Sequence, residues 1–237
     1  MNRILIFLLC CMVSWSAASV SLASSPGNPL GMLGARRLAV SAEWDQDNRD
    51  LDDSRVTSNR YWLKGTYGLF DWLDVSGAGG FADFDVCTNQ NARSFSFESH
   101  HLTFGFRGAL KMRPFYQAAY NVSTFLTAQG SHLQAEEFRG PDTPKKLSWN
   151  EFQLAICLAK EYGFAFPYGG VLYSVVDGEM GWDGSNGTDF RDPGALAFAG
   201  IDFSLPSRYV ISLEVRGRLG GGSDEVSFSV GLSQSSK

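Results

Sequence analysis

Two sets of side chains in this 237-residue chain have the residue types of hydrolytic chemistry. Asp83 and Asp85 stand two positions apart. On an extended strand both would point the same way, as a water-activating carboxylate pair requires. Ser99 and His101 share a face by the same spacing. Glu98 and His100 adjoin them, so a Ser/His/Glu constellation can be drawn. The plainer reading of both sets is preferred. Carboxylates at a loop edge bind water and bridging cations, and such a trio arises by chance in many strands. No catalytic residue is assigned, and His101, Ser99, Asp83 and Asp85 stand only as candidates.

Other motifs carry less. The acidic stretch Gln46–Val56, QDNRDLDDSRV, lacks the ligand spacing and the glycine of an EF-hand calcium loop. Gly220–Gly222 is followed by neither a helix nor the Lys-Ser/Thr of a phosphate loop, so it reads as a hairpin turn. No metal and no cofactor is expected. A formal net charge of −5 gives no basic footprint for nucleic acid.

The elements that must position these residues are strands. Gly is high at 26 residues and aromatics make up 14%, a mixture that suits strands and tight turns. The chain opens as a secretory signal. Arg3 forms a positive head, Ile4 to Val13 is apolar, and Ser21 and Ala23 fit a small-x-small cleavage rule. Residues 1–23 are therefore expected to be a signal peptide and 24–237 the folded domain. Cys87 and Cys157 then remain, expected as two unpaired thiols. No later segment holds the roughly twenty consecutive apolar residues that a spanning helix needs.

Ten segments alternate with period two: 37–45, 60–67, 73–81, 101–110, 115–127, 152–158, 168–176, 197–205, 209–219 and 225–232. The segment at 168–176 is the least regular, which leaves eight strands as the alternative count. Most segments run to about nine residues or more, and a tilted strand needs about nine to eleven to cross a bilayer. Short links are expected at 68–72, 111–114, 159–167, 206–208 and 220–224. Long polar links are expected at 46–59, 85–100, 128–150 and 177–195. That alternation is what a membrane barrel shows.

Nearly every strand has one greasy face and one polar face. Leu38, Val40, Ala42 and Trp44 oppose Arg37, Ser41, Glu43 and Asp45. In lipid every backbone polar group needs an internal partner, which a closed sheet supplies. The greasy faces then point outward, and the polar faces line a lumen. The expected lumen charges are Arg37, Glu43, Arg60, Lys64, Asp74, His101, Arg107, Asp202, Glu214, Arg216 and Arg218, paired because an unpaired buried charge is costly. Trp44, Tyr61, Trp62, Trp72, Tyr116, Trp149 and Tyr209 cluster near strand ends, where headgroup-level girdles would place them.

The segment Tyr67–Val86, YGLFDWLDVSGAGGFADFDV, resembles the strand–turn–strand unit of small Gram-negative barrels, in which a YGL-x-DWL-x-V turn joins two lipid-facing strands. Over its mature length the chain resembles the bacterial outer-membrane β-barrel superfamily. The resemblance implies an all-β, antiparallel up-and-down transmembrane barrel of about ten strands in the outer membrane. It implies outer-membrane lipid, lipopolysaccharide and the barrel-assembly machinery as partners, a monomeric state, and a structural, interaction or narrow porin-like role. One alternative is a hydrolase at the rim, as in omptin proteases or lipid A deacylases. Another is a soluble periplasmic ligand-binding barrel, with its apolar face inside.

Overall fold

The computed structural model describes residues 33–51, 54–88, 93–97, 104–136, 144–182, 188–206, 209–220 and 226–235. The strands are β1 (Leu38–Leu51), β2 (Ser54–Phe70), β3 (Leu73–Thr88), β4 (Arg93–Phe97), β5 (Phe104–Gln117), β6 (Val122–Glu136), β7 (Pro144–Lys160), β8 (Ala165–Trp182), β9 (Thr188–Ser204), β10 (Tyr209–Arg218) and β11 (Val226–Ser235). Every pairing is antiparallel and joins sequence neighbours, apart from β1–β11 and β3–β5. The β1–β11 pairing closes the ring. The short β4 pairs with β3 beyond the stretch of β3 that pairs with β5, so β4 and β5 share one position. Ten positions therefore complete the barrel, and a closed ring leaves no open edge.

Strand length decides how the barrel sits. β1 to β3 and β5 to β9 run 14–18 residues each. A crossing needs only about ten, so the longest strands project roughly 20 Å beyond a bilayer at about 3.3 Å per residue and a tilt near 40°. The end with short turns carries Asp71–Trp72, a 3-10 turn at Ala118–Tyr120 and both barrel termini. We call it the turn end and its opposite the loop end.

The outer face changes character along the axis. In the lower zone β7 presents Phe152, Leu154, Ile156 and Leu158 outward, 46–58% exposed. Neighbouring strands add Phe106, Leu110, Val171, Tyr173, Leu213, Val215 and Val230. Above that belt the same face turns polar: Asn48, Asn59, Asp83, His132, Asn150, Asp177 and Arg191. On β2 the belt runs from Tyr61 to Phe70, about 23 Å high at the strand rise and tilt of such barrels. Tyr61 stacks on Phe81 at its upper edge and Phe70 on Trp72 at its lower edge, with centroids at 5.0 and 5.4 Å. In this zone the apolar face points outward, the reverse of a soluble ligand-binding barrel with its apolar face inside.

Five expected links are corrected by this geometry. Within 46–59, residues 46–51 and 54–59 are strand, and Leu51 pairs with Ser54. The long links at 85–100, 128–150 and 177–195 hold strand as well, as β3, β6, β7, β8 and β9 extend into them and β4 lies within the first. The stretch 111–114 is not a turn. A register shift between Met112 and Phe115 absorbs Pro114 inside β5, and the chain reverses at Ala118–Asn121, where Asn121 takes the left-handed region (φ 51°).

Candidate functional site

The barrel interior is filled, in tiers. Nearest the turn end lie Asp74 and Asp202, 1% and 0% exposed, beside an apolar wall of Phe125, Cys157, Tyr168, Leu172, Leu196 and Phe198. Lys111 stands over the Phe125 ring at 5.2 Å. Cys157 is a buried thiol outside any disulfide, and its Sγ donates to the Leu158 carbonyl at 3.6 Å.

The next tier is ionic. Arg107 bridges Glu43 at 3.0 Å and Asp45 at 2.7 Å, with its guanidinium 4.3 Å over the Trp62 ring. Lys64 stands 3.5 Å from Glu43, and Ser41 donates to the same carboxylate at 3.0 Å. Arg216 pairs with Glu214 at 2.6 Å and lies 3.9 Å from Asp45.

A third tier centres on Glu151, which is 5% exposed. Its carboxylate accepts from Arg60 at 2.7 Å, Gln153 at 2.7 Å, Ser174 at 2.9 Å, and from Arg49. Arg49 also reaches Asp47 at 2.9 Å and Asp192 at 3.6 Å. Arg60 reaches Asp47 at 3.3 Å, and Ser227 donates to the second Asp47 oxygen. Arg218 grips Asp192 with two nitrogens at 2.6 and 3.0 Å. Six charged side chains from five strands thus bind one another across the bore, each charge compensated as burial demands.

Above these tiers the interior is apolar. Val56, Ala82, Phe84, Leu133, Leu147, Trp149, Val176, Met180 and Phe190 form one buried cluster. Trp149 packs between Phe84 and Phe190, with centroids at 5.8 and 5.7 Å. Its other face meets Arg60 at 5.2 Å, joining this cap to the ionic tier. The faces therefore invert between the ionic tiers, polar inside, and the cap above them, apolar inside and polar outside.

Glycines make room for the inward rings. Trp62 lies directly across from Gly80, Phe198 from Gly170, Phe190 from Gly178 and Tyr168 from Gly200. A Cβ at any of these glycines would run into the facing ring and a backbone carbonyl. Each ring so covers its neighbour's bare backbone and fills the bore.

The structure places Glu43, Arg60, Lys64, Asp74, Arg107, Asp202, Glu214 and Arg216 on the inner face. Arg37 is a correction. It is exposed and precedes β1, because the chain turns at the rim before the strand's alternation begins. Trp149 is a second correction, being 1% exposed inside the upper zone rather than at an interface. Trp62 is likewise inward at 2%. Trp44, Tyr61, Trp72, Tyr116 and Tyr209 lie on the outside. Asp83 and Asp85 face outward above the belt, away from the bore. Ser99, His100 and His101 lie outside the described residues, as do residues 1–23. Sequence reasoning missed Asp47, Arg49, Glu151 and Asp192 because they fell in or beside the supposed loops. Their period-two spacing with Asp45, Gln153 and Gly194 was the available signal.

No protein-family model matches the chain, and a search of curated proteins finds no match. Among solved structures, the chain is similar to the translocator domain of the autotransporter NalP from Neisseria meningitidis, with 8% identity and a TM-score of 0.47 over 98% of this chain and 94% of that one. It is also similar to the outer membrane protease OmpT from Escherichia coli, with 9% identity, a TM-score of 0.34, and 92% and 93% covered. A third is the CymD monoaromatic hydrocarbon channel, with 8% identity, a TM-score of 0.32, and 86% and 88% covered. On its own geometry, the chain has the fold of an outer-membrane β-barrel. A fold alone does not fix a function, which must be argued from the site. Here the site is a bore closed by its own side chains. Among the described residues no group of three or more His, Cys, Asp or Glu is arranged to hold a metal.

Proposed function

We propose that this chain is an exported outer-membrane protein that serves as an anchored structural or interaction scaffold, not as an open pore. The observation that carries the reading is the filled bore. Glu43, Asp47, Arg49, Arg60, Arg107, Glu151 and Asp202 are 0–7% exposed, beneath a buried apolar cap. Water and solutes have no free lane where guanidinium and carboxylate groups bind one another across the bore. The polar collar above the belt, built from Asp83, His132, Asn150, Asp177 and Arg191, is the surface through which such a scaffold would meet lipopolysaccharide and partners outside the cell.

The test combines fractionation with conductance. The exported protein is expected in washed outer membranes, running faster unboiled than boiled. Reconstituted in a planar bilayer, it is expected to give no steady current. A stable open-channel conductance would overturn the scaffold reading, and recovery in the soluble periplasmic fraction would overturn the membrane one.

A further inference from the structure

At the turn end the chain does not run straight into β1. Gly34 and Arg36 both adopt left-handed backbone conformations, with φ of 78° and 63°. Together they fold residues 33–37 across the mouth of the barrel. Leu33 ends up only 6% exposed, and its amide donates to Asp74 Oδ2 at 3.0 Å. Asp74 points inward at the start of β3 and is 1% exposed; its other oxygen has no hydrogen-bond donor among the described residues.

The rest of the segment is clipped to the β2–β3 turn. The Ala35 amide donates to Asp71 Oδ1 at 3.0 Å. The Arg36 amide donates to the Gly68 carbonyl at 2.7 Å, and the Gly68 amide to the Arg37 carbonyl at 2.9 Å. Gly68 is an inward position, and the Gly34 carbonyl lies against it where any Cβ would stand. Residue 68 must therefore be glycine for the segment to seat. An ordinary run into a strand needs none of this: neither two left-handed residues, nor a glycine seat, nor an apolar side chain sunk beside a buried carboxylate.

We propose that residues 33–37 are a strap that stoppers the turn-end mouth. Leu33 is the stopper, Asp74 the catch and Gly68 the seat. The strap shields the lower tier of the bore, including Cys157, from the aqueous side on which both barrel termini lie. The tiers above close the bore independently, so releasing the strap opens an antechamber and not a channel. The proposal rests on the filled bore of the scaffold reading. The two can fail separately: a conducting wild type would sink that reading and still leave the labelling rates below to judge the strap.

Cys157 supplies the probe. It faces inward near the turn end of β7 and is 1% exposed. The full chain, folded and showing the unboiled gel shift, is treated with a small charged methanethiosulfonate reagent, and labelling is read by mass on the Cys157 peptide. Wild type is expected to label slowly. Gly68→Val, which fills the seat, and Leu33→Ser, which removes the stopper, are each expected to label about tenfold faster, equivalent to about 1.4 kcal/mol of lost closure. Equal rates in wild type and both variants, with the gel shift retained, would overturn the strap. So would wild-type labelling as fast as that of the boiled protein. Should Gly68→Val fail to fold, Leu33→Ser decides alone, because residue 33 lies outside every strand.

Discussion

Replacing Glu151 by Gln removes one charge from the centre of the bore while keeping the side chain's size. Glu151 accepts two guanidinium contacts, from Arg60 and Arg49, and two neutral bonds, from Gln153 and Ser174. Charge-assisted bonds contribute about 1.5–3 kcal/mol each, so the two guanidinium contacts are together worth about 3–6 kcal/mol. Neither arginine is left wholly alone. Arg49 keeps Asp47 at 2.9 Å and Asp192 at 3.6 Å, and Arg60 keeps Asp47 at 3.3 Å. That residual compensation points to the lower end, a loss of about 3 kcal/mol, which matches the cost of removing one partner from a buried pair. The assay is urea unfolding of the vesicle-embedded protein, followed by the fast-running band of unboiled samples and by tryptophan fluorescence. In a water-filled bore the same ion pairs would behave as exposed ones, and the change would cost under about 1 kcal/mol. A loss that small would refute the dry, filled lumen.

Three further outcomes follow from the two faces of the wall. Gly80→Ala puts a Cβ against the Trp62 ring and the Tyr61 carbonyl and should cost about 1–3 kcal/mol by overpacking; Gly79→Ala faces outward with nothing within 4 Å and should change the urea midpoint little. Ile156→Arg, in the middle of the outer belt, should cost about 2–4 kcal/mol and depress the yield of membrane-inserted protein, whereas Asn150→Arg, above the belt on the same face of β7, should cost about 0–1 kcal/mol. Brominated lipid should quench Trp44 and Trp72 and leave Trp62 and Trp149 unquenched, which single-tryptophan variants would report.

The lower zone was legible in the sequence because one rule governs it. Phe152, Leu154, Ile156 and Leu158 against Gln153, Ala155 and Cys157 states which side meets lipid, and nine other segments repeat the statement. The upper zone was not legible, because there the rule reverses without a break in the strand. Along β7 the apolar inward residues Leu147 and Trp149 are odd-numbered, while the apolar outward residues from Phe152 onward are even-numbered. The phase slip makes the passage look irregular, and a polar, irregular passage reads as loop. Trp149, large and near a predicted strand end, therefore reads as a girdle residue, while Asp47 and Arg49 read as loop charges because their outward neighbours Gln46, Asn48 and Asp50 are polar as well. Pro114 misled for a different reason. Proline usually marks a turn, but a register shift within β5 also accommodates it. The strap at Leu33 has no sequence signal beyond Gly34 and Gly68, since its contacts join backbone amides to carboxylates 41 and 36 positions away.

Spin labels placed one at a time along β7 test the two-zone wall most directly. With the protein in vesicles, labels at Leu154, Ile156 and Leu158 should collide readily with oxygen, which concentrates in lipid. Labels at Ser148 and Asn150 should collide instead with a water-soluble nickel complex, and labels at Gln153 and Ala155 with neither. Nickel access at Leu154 through Leu158, or at the inward positions between them, would contradict a greasy belt wrapped around a closed bore.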